Sequence, residues 1–486
     1  MPRERIRSTV LTLSQQTNAV RHIAQLTAFQ AVSQAIVILS VPLVTRLYTP
    51  ADIGTAGALV ALLAIAGPVI CLRLEQAILI ERSNRMAAAA TMVALLAAGA
   101  MASALSIVVL VIFGPWLASH GFPPRTTTAI VFVSLVLSGV CGVVAQWSLR
   151  LNHLHQFGAG RASRPAVATL LSVLFPALGF GSKPIFIVLS TMAGVLVELL
   201  INVRNKSGAL MGTGSRRRMI ATVSRHFDLV AKSSPAALLN TLSWQLPTIV
   251  LAVTLGPAAA GAYSLGIRTV HLPLTVLASA LSTLLQQRYL KAIPVKRAEI
   301  IGRFLHLSVR VVLPPTAAAM VAGPTLAGIV LGEDWAVAGE FARYLAIGIA
   351  AWFVSSPLSF VFNLHRNHEA ELRSQVVILA LKIVALSACL ISNLNIVVAC
   401  SLGLSMLLAY GYLLFEILST TRVRVAWRKV ILMPLLVSAG GTTIISTIAI
   451  YAAEYSSAAC VVTVVLSIVA SWFALVDTEV RAMLRD

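Results

Sequence analysis

Long apolar runs recur along the whole chain, separated by short stretches that hold charges, glycine and proline. Each run is close to the roughly 20 residues needed to cross the hydrocarbon layer as a helix. Run length and punctuation together give about fourteen spans, at 23–45, 53–72, 87–117, 127–147, 163–181, 185–203, 233–255, 259–285, 304–331, 343–363, 374–393, 396–418, 430–451 and 458–478. The fifth and sixth are short and flank GSKP at 181–184. The runs show no strict alternation, and lipid offers no partner for open backbone groups, so the spans are predicted to be helices rather than barrel strands. The pattern predicts an all-α, polytopic integral membrane protein.

Composition agrees. The 486 residues are 58% hydrophobic and 11% charged, against about 25% charged in soluble domains. The net charge of +20 raises nucleic acid as a partner, but its distribution along the chain argues otherwise. With the N-terminus placed in the cytoplasm, one set of alternate loops collects the cations, among them Arg3, Arg5, Arg7, Arg82, Arg85, Arg150, Arg161, Arg164, Arg216, Arg217, Arg218, Lys296, Arg297, Arg422 and Arg481. The opposite set holds Arg46, Arg125, Lys183 and Arg343, a bias of about seven to one that matches the positive-inside rule. This predicts a multi-pass membrane protein with both termini cytoplasmic, in contact with membrane lipids and not with nucleic acid. Residues 1–22 are basic and polar, so they are expected to form a surface arm rather than a cleavable signal. Cys71, Cys141, Cys389, Cys400 and Cys460 show no CxxC pairing and are expected to be small core residues, with no metal site.

The short outer loops, the longest around 332–342, leave no room for an extracytoplasmic catalytic domain, and no GxxxxGK[ST] or HExxH motif is present. The chain is therefore not expected to be an enzyme or to carry a cofactor; proton or sodium coupling both remain open. A channel, a transporter or a lipid-handling protein is what is left. A repeat sharpens that choice. TPADIGTAGAL at 49–59 and GPAAAGAYSLG at 256–266 share Pro-Ala-x-x-Gly, pairing Pro50 with Pro257 and Gly54 with Gly261. The expected organisation is an arm (1–22), a first six-span lobe (23–203), a basic linker (204–232), a second six-span lobe (233–418), and two further spans with a short tail (419–486). Six spans per half make the repeats parallel, an arrangement that places a substrate site near the midplane at their interface.

The stretches PLVTRLYTPADIGTAGALVAL at 42–62, LRLEQAILIERS at 72–83 and PAALLNTLSWQLPTIVLAVTLGPAAAGAYSLGIRTVHLPL at 235–274 resemble the bacterial polysaccharide transporter family. This family comprises the O-antigen and exopolysaccharide flippases of the multidrug/oligosaccharidyl-lipid/polysaccharide superfamily. The resemblance implies two six-helix lobes that alternate access, and translocation of an undecaprenyl-diphosphate-linked oligosaccharide for O-antigen, capsule or exopolysaccharide synthesis. Polysaccharide polymerases and assembly proteins are then expected partners. A peptidoglycan-precursor flippase, a multidrug/cation antiporter of the same superfamily, and a non-transporting scaffold are the alternatives.

Candidate residues are those that lipid tolerates badly. A midplane arginine costs about 2.5–3.5 kcal/mol on insertion scales and needs a partner, a wet cavity or an anionic substrate. Arg268 shares a helical face with Ser264, His271, Thr275, Ser279 and Ser282, a polar stripe suited to a cavity that holds phosphate; a structural arginine bonded to helix carbonyls is the competing reading. Arg310, on a face with His306, and Lys382 either reach the same cavity or snorkel. Arg73 with Glu75 is a candidate gate and headgroup contact, or an interfacial ion pair. Arg46 is a release-side contact or a topological exception. Gln30 and Gln34, and Asn240 and Trp244, are candidate sugar contacts at i, i+4, Trp244 by stacking; each is equally at home as a packing residue. Pro42, Pro247, Pro273 and Pro314 are expected to bend spans.

Overall fold

The structure, a computed structural model, describes residues 28–180, 183–204, 215–365, 367–392, 394–421 and 423. The N-terminal arm, the middle of the linker and the two spans expected at 430–451 and 458–478 lie outside these residues. Twelve long helices correspond to the first twelve expected spans: α1 (Ala28–Leu47), α2 (Pro50–Ala66), α3 (Asn84–Ser119), α4 (Pro124–Arg150), α5 (Leu154–Ala177), α6 (Pro184–Val203), α7 (Ser234–Thr254), α8 (Pro257–Lys291), α9 (Pro294–Leu331), α10 (Ala336–Ser355), α11 (His368–Leu386) and α12 (Asn395–Thr421). All but α5 belong to the 11 segments long and apolar enough to cross a membrane, and no strand occurs among the described residues. The chain is a polytopic, all-helical membrane protein.

Local chemistry sets where these helices begin. Five start on proline (Pro50, Pro124, Pro184, Pro257, Pro294), whose missing N–H is not needed in a first turn and whose φ is already helical. Two expected boundaries need correction. Helix α9 starts at Pro294 rather than 304, which puts Arg310 about 24 Å along the helix at 1.5 Å per residue. Helix α5 starts at Leu154 rather than 163, so Arg161 and Arg164, expected in a loop, are helical. The internal prolines Pro247, Pro273 and Pro314 lie within α7, α8 and α9 as expected.

The described residues fall into two compact units. One comprises those within Met1–Ser40, Leu63–Gly181 and Ile185–Leu238, the other those within Val41–Leu62, Ser182–Pro184 and Leu239–Asp486. In the first, α3 packs along α4, with the buried Trp147 indole donating to Thr91 Oγ1 at 2.8 Å. Ser148 on α4 donates to Asn202 Oδ1 of α6 at 2.6 Å, so a fully buried polar pair joins these helices. A short helix, Arg216–Arg225, belongs to the same unit and packs on α3. It is fastened through Glu81, a buried carboxylate that accepts from Arg225 Nη1 at 3.2 Å and lies 2.9 Å from His226 Nε2. Arg150 holds the backbone around this point, donating to the carbonyls of Ile78 and Glu81 and to Asn84 Oδ1.

The second unit is organised around α10, which packs against α8, α9 and α12 and buries Phe341, Leu345, Ile349 and Phe353. Here too the two Pro-Ala-x-x-Gly motifs meet. A Cβ placed on Gly54 would collide with the Pro257 carbonyl, and one placed on Gly261 would collide with the Pro50 carbonyl. The repeated motif therefore makes a reciprocal backbone contact between the starts of α2 and α8. Trp335, fully buried before α10, donates its indole N–H to the Thr45 carbonyl at the end of α1 at 3.0 Å.

Two outcomes are expected. Gly54→Val has no room at the crossing and should cost about 1–3 kcal/mol, seen as a lower unfolding midpoint in detergent, whereas Gly67→Ala, with open space around it, should not move the midpoint. Glu81→Ala should release the Arg216–Arg225 helix and speed tryptic cleavage at its arginines relative to the native chain, read by timed digestion and mass spectrometry.

Candidate functional site

The first unit contains a cavity of about 640 Å³ lined by Gln30, Ser33 and Gln34 of α1, Arg73 and Glu75, Ser138 and Gln146 of α4, Phe157, Arg161 and Arg164 of α5, and Glu198 of α6, among others. Four of the expected site residues, Gln30, Gln34, Arg73 and Glu75, are thus brought together on one wall system. How Arg73 gets there is a backbone matter. Leu72 and Arg73 both adopt left-handed φ values, 52° and 60°, a conformation uncommon outside glycine that persists where surroundings over-determine it. That turn separates α2 from the short helix Ala77–Ile80 and sets the Arg73 guanidinium at the cavity. Arg73 and Glu75 share the cavity, and no hydrogen bond or ion pair joins them among the described residues.

The residues the sequence reading left in a loop complete the site. Because α5 extends back to Leu154, Arg161 and Arg164 project from a helix. Gly194 on α6 makes this possible, since a Cβ there would collide with the Arg164 carbonyl. Arg164 Nη1 lies 3.7 Å from Glu198 Oε2, a distance of ion pairing rather than hydrogen bonding; Glu198 is 5% exposed and Arg164 52%. Arg161 lies over the Phe157 ring at 5.4 Å. Three guanidinium groups against two carboxylates leave the lining net positive. Ser33 Oγ, Gln34 Oε1, Arg73 Nε, Glu75 Oε2 and Glu198 Oε2 are buried without a hydrogen-bond partner, an arrangement that costs free energy unless a ligand or solvent completes it.

The other expected residues lie in the second unit. Arg268 is exposed on α8 with no hydrogen bond or ion pair to the described residues. The stripe beneath it differs from expectation. Ser264 is buried and donates to the Gly261 carbonyl, Thr275 to Leu272 and Ser279 to Val276. These hydroxyls satisfy themselves on their own helix, so they offer acceptors rather than free donors. Lys382 is buried rather than snorkelling: it is 1% exposed, near the middle of its span, and donates to the Ser243 carbonyl at 2.6 Å with its ammonium 4.7 Å from the Trp244 ring centre. His271 packs between Trp244 (4.8 Å) and Trp352 (4.3 Å). Asn240 is exposed one turn before Trp244, Arg310 is half-buried, and Arg46 is exposed at the end of α1. Trp352 was not singled out from sequence, because one indole in an apolar run carries no pattern.

A family model described as "Polysaccharide biosynthesis protein" matches residues 43–340. The chain belongs to this family. Among solved structures it is similar to the lipid II flippase MurJ in an inward closed conformation, with 10% identity, TM-score 0.67, and 94% of this chain and 99% of that chain covered. It is also similar to an inward-facing multidrug resistance MATE family transporter of the MOP superfamily, with 13% identity, TM-score 0.57, and 80% and 96% covered. At these identities the likeness shows a fold shared with these structures. Comparison with curated proteins finds no match.

For this member of the family, Arg161→Ala removes a cation–π contact worth about 0.5–1 kcal/mol at an exposed site. It should leave the unfolding midpoint nearly unchanged while weakening binding of inorganic pyrophosphate at low salt, measured by calorimetry on the purified protein.

Proposed function

We propose that the protein is a flippase that carries an undecaprenyl-diphosphate-linked oligosaccharide repeat unit from the cytoplasmic to the outer leaflet of the bacterial inner membrane by alternating access, for O-antigen, capsule or exopolysaccharide synthesis. The observation that carries this reading is the net-positive cavity of the first unit, where Arg73, Arg161 and Arg164 face polar atoms without partners inside a membrane-spanning bundle. Guanidinium groups bind diphosphate oxygens through paired, charge-assisted hydrogen bonds, and Gln30, Gln34, Ser138 and Gln146 offer donors and acceptors to sugar hydroxyls nearby. Family membership supports a role in polysaccharide synthesis rather than in drug export. A cation antiporter would be served by an excess of carboxylates, whereas Glu198 here is already within ion-pair distance of Arg164.

The excess of cations in the basic loops supports cytoplasmic termini, and the Arg216–Arg225 helix would lie at the cytoplasmic end of the first unit. The organisation into two six-span lobes with two appended spans belongs to the same proposal.

The test is flipping in proteoliposomes of fluorescent undecaprenyl diphosphate bearing a short glycan, alongside the same lipid bearing a peptidoglycan disaccharide-pentapeptide. Flipping of the glycan lipid is expected to fall at least tenfold in Arg73→Ala with Arg161→Ala. Preference for the peptide-bearing lipid would instead make the protein a peptidoglycan-precursor flippase, and no flipping of either by folded protein would sink the reading.

A further inference from the structure

The second unit holds an aromatic cluster that the diphosphate reading does not use. Trp244 of α7, His271 of α8 and Trp352 of α10 are mutually in contact, with ring centres 4.8 Å (Trp244–His271), 4.3 Å (His271–Trp352) and 6.2 Å (Trp244–Trp352) apart. All three rings are half-buried, so part of each remains open. Behind them the packing is closed: Tyr410 of α12, 4% exposed, lies 6.3 Å from Trp244, and Lys382 holds Trp244 from its own buried position on α11. The two open borders of the cluster are polar. Asn240 lies one helical turn from Trp244 and is exposed, and Arg268 lies one turn from His271, exposed and without a protein partner among the described residues. His271 Nε2 is buried with no hydrogen-bond partner.

An open aromatic surface with hydrogen-bonding groups at its rim suits one class of ligand. A pyranose ring presents an apolar C–H face and a periphery of hydroxyls, so it covers an indole while its edge meets polar side chains. Indoles supply this surface with little loss of rotamer freedom on binding. An isoprenoid chain would also cover the rings, but it would gain nothing from Asn240 or Arg268. Lys382 explains why the platform stays in place. Its ammonium is fixed by the Ser243 carbonyl, adjacent in sequence to Trp244, and sits against the indole, so the ring cannot change rotamer without giving up a desolvated cation–π contact.

We propose that Trp244, His271 and Trp352 form a sugar-stacking subsite for the glycan of the lipid-linked substrate, rimmed by Asn240 and Arg268, with Lys382 as a positioning residue for Trp244. This deepens the flippase reading and rests on it.

The experiment measures binding of two probes to the purified full chain in detergent: undecaprenyl diphosphate without sugar, and the same lipid carrying a single glucose, galactose or N-acetylglucosamine. The native protein is expected to bind at least one glycosylated lipid more tightly than the sugar-free one. Trp352→Ala should remove that difference, about tenfold in affinity, while affinity for the sugar-free lipid stays native, which also certifies the fold. Trp352→Phe should keep most of it. Lys382→Met should reduce it partially and change the Trp244 emission spectrum, a signal lost in the Trp244→Phe background. Equal loss of both lipids in Trp352→Ala would assign the rings to packing or to the isoprenoid and overturn the proposal, as would equal native affinity for all four lipids. A native chain that binds none of them would overturn the flippase reading itself.

Discussion

An ionised side chain inside hydrocarbon has to bring its own solvation, and most of the polar architecture of this protein follows from that requirement. Several buried or half-buried charges meet it in a recognisable way. Arg150 spends its donors on backbone carbonyls and Asn84. Arg373 of α11 forks onto Glu416 of α12 with two contacts of 3.0 Å, and Tyr412 donates to the same carboxylate. Glu81 is satisfied by Arg225 and His226. Lys382 uses one carbonyl and one indole face. In the first unit's cavity the compensation is incomplete: Arg73, Glu75 and Glu198 each keep a buried polar atom without a hydrogen bond, as Glu340 and Arg343 do in the second unit. What marks this cavity is that three such charged groups gather on one lining together with the unpaired Ser33 Oγ and Gln34 Oε1.

The two units differ in the side-chain chemistry they carry. Guanidinium groups and amides dominate the first, where charge-assisted bonds give strength and direction. Aromatic rings dominate the second, where contact is broad and tolerant of stereochemistry. Under the proposed function, directional bonds would fall to the constant diphosphate and the more tolerant aromatic contact to the variable glycan. Strong binding of the whole substrate in one conformation would hinder release, because a ligand shifts an equilibrium only by its differential affinity for the two states.

Span positions were legible because bilayer thickness fixes run length, and that signal survives any packing arrangement. The repeat was legible because its glycines answer a steric need at one contact, Gly54 against Pro257 and Gly261 against Pro50. What escaped was everything set by the far side of a helix. Arg161 and Arg164 looked like loop residues because hydropathy averages around the helix and cannot see that a polar face of α5 lines a cavity. The serine and threonine stripe of α8 looked like free donors because sequence does not reveal back-bonding to the preceding turn. Lys382 looked able to snorkel, since its burial comes from α7, more than a hundred residues away in sequence.

The crossing of α2 and α8 joins these points. Its glycines bring two backbones together with no side chain between them, so the contact rests on dispersion and on Cα–H to carbonyl approaches, each worth about 0.5–1 kcal/mol at most. The requirement is reciprocal, since each motif supplies both the glycine that yields space and the carbonyl that fills it. Neither glycine can therefore be enlarged without cost to the other's partner. That coupling explains, in steric terms alone, why the same five-residue pattern stands at the head of both helices.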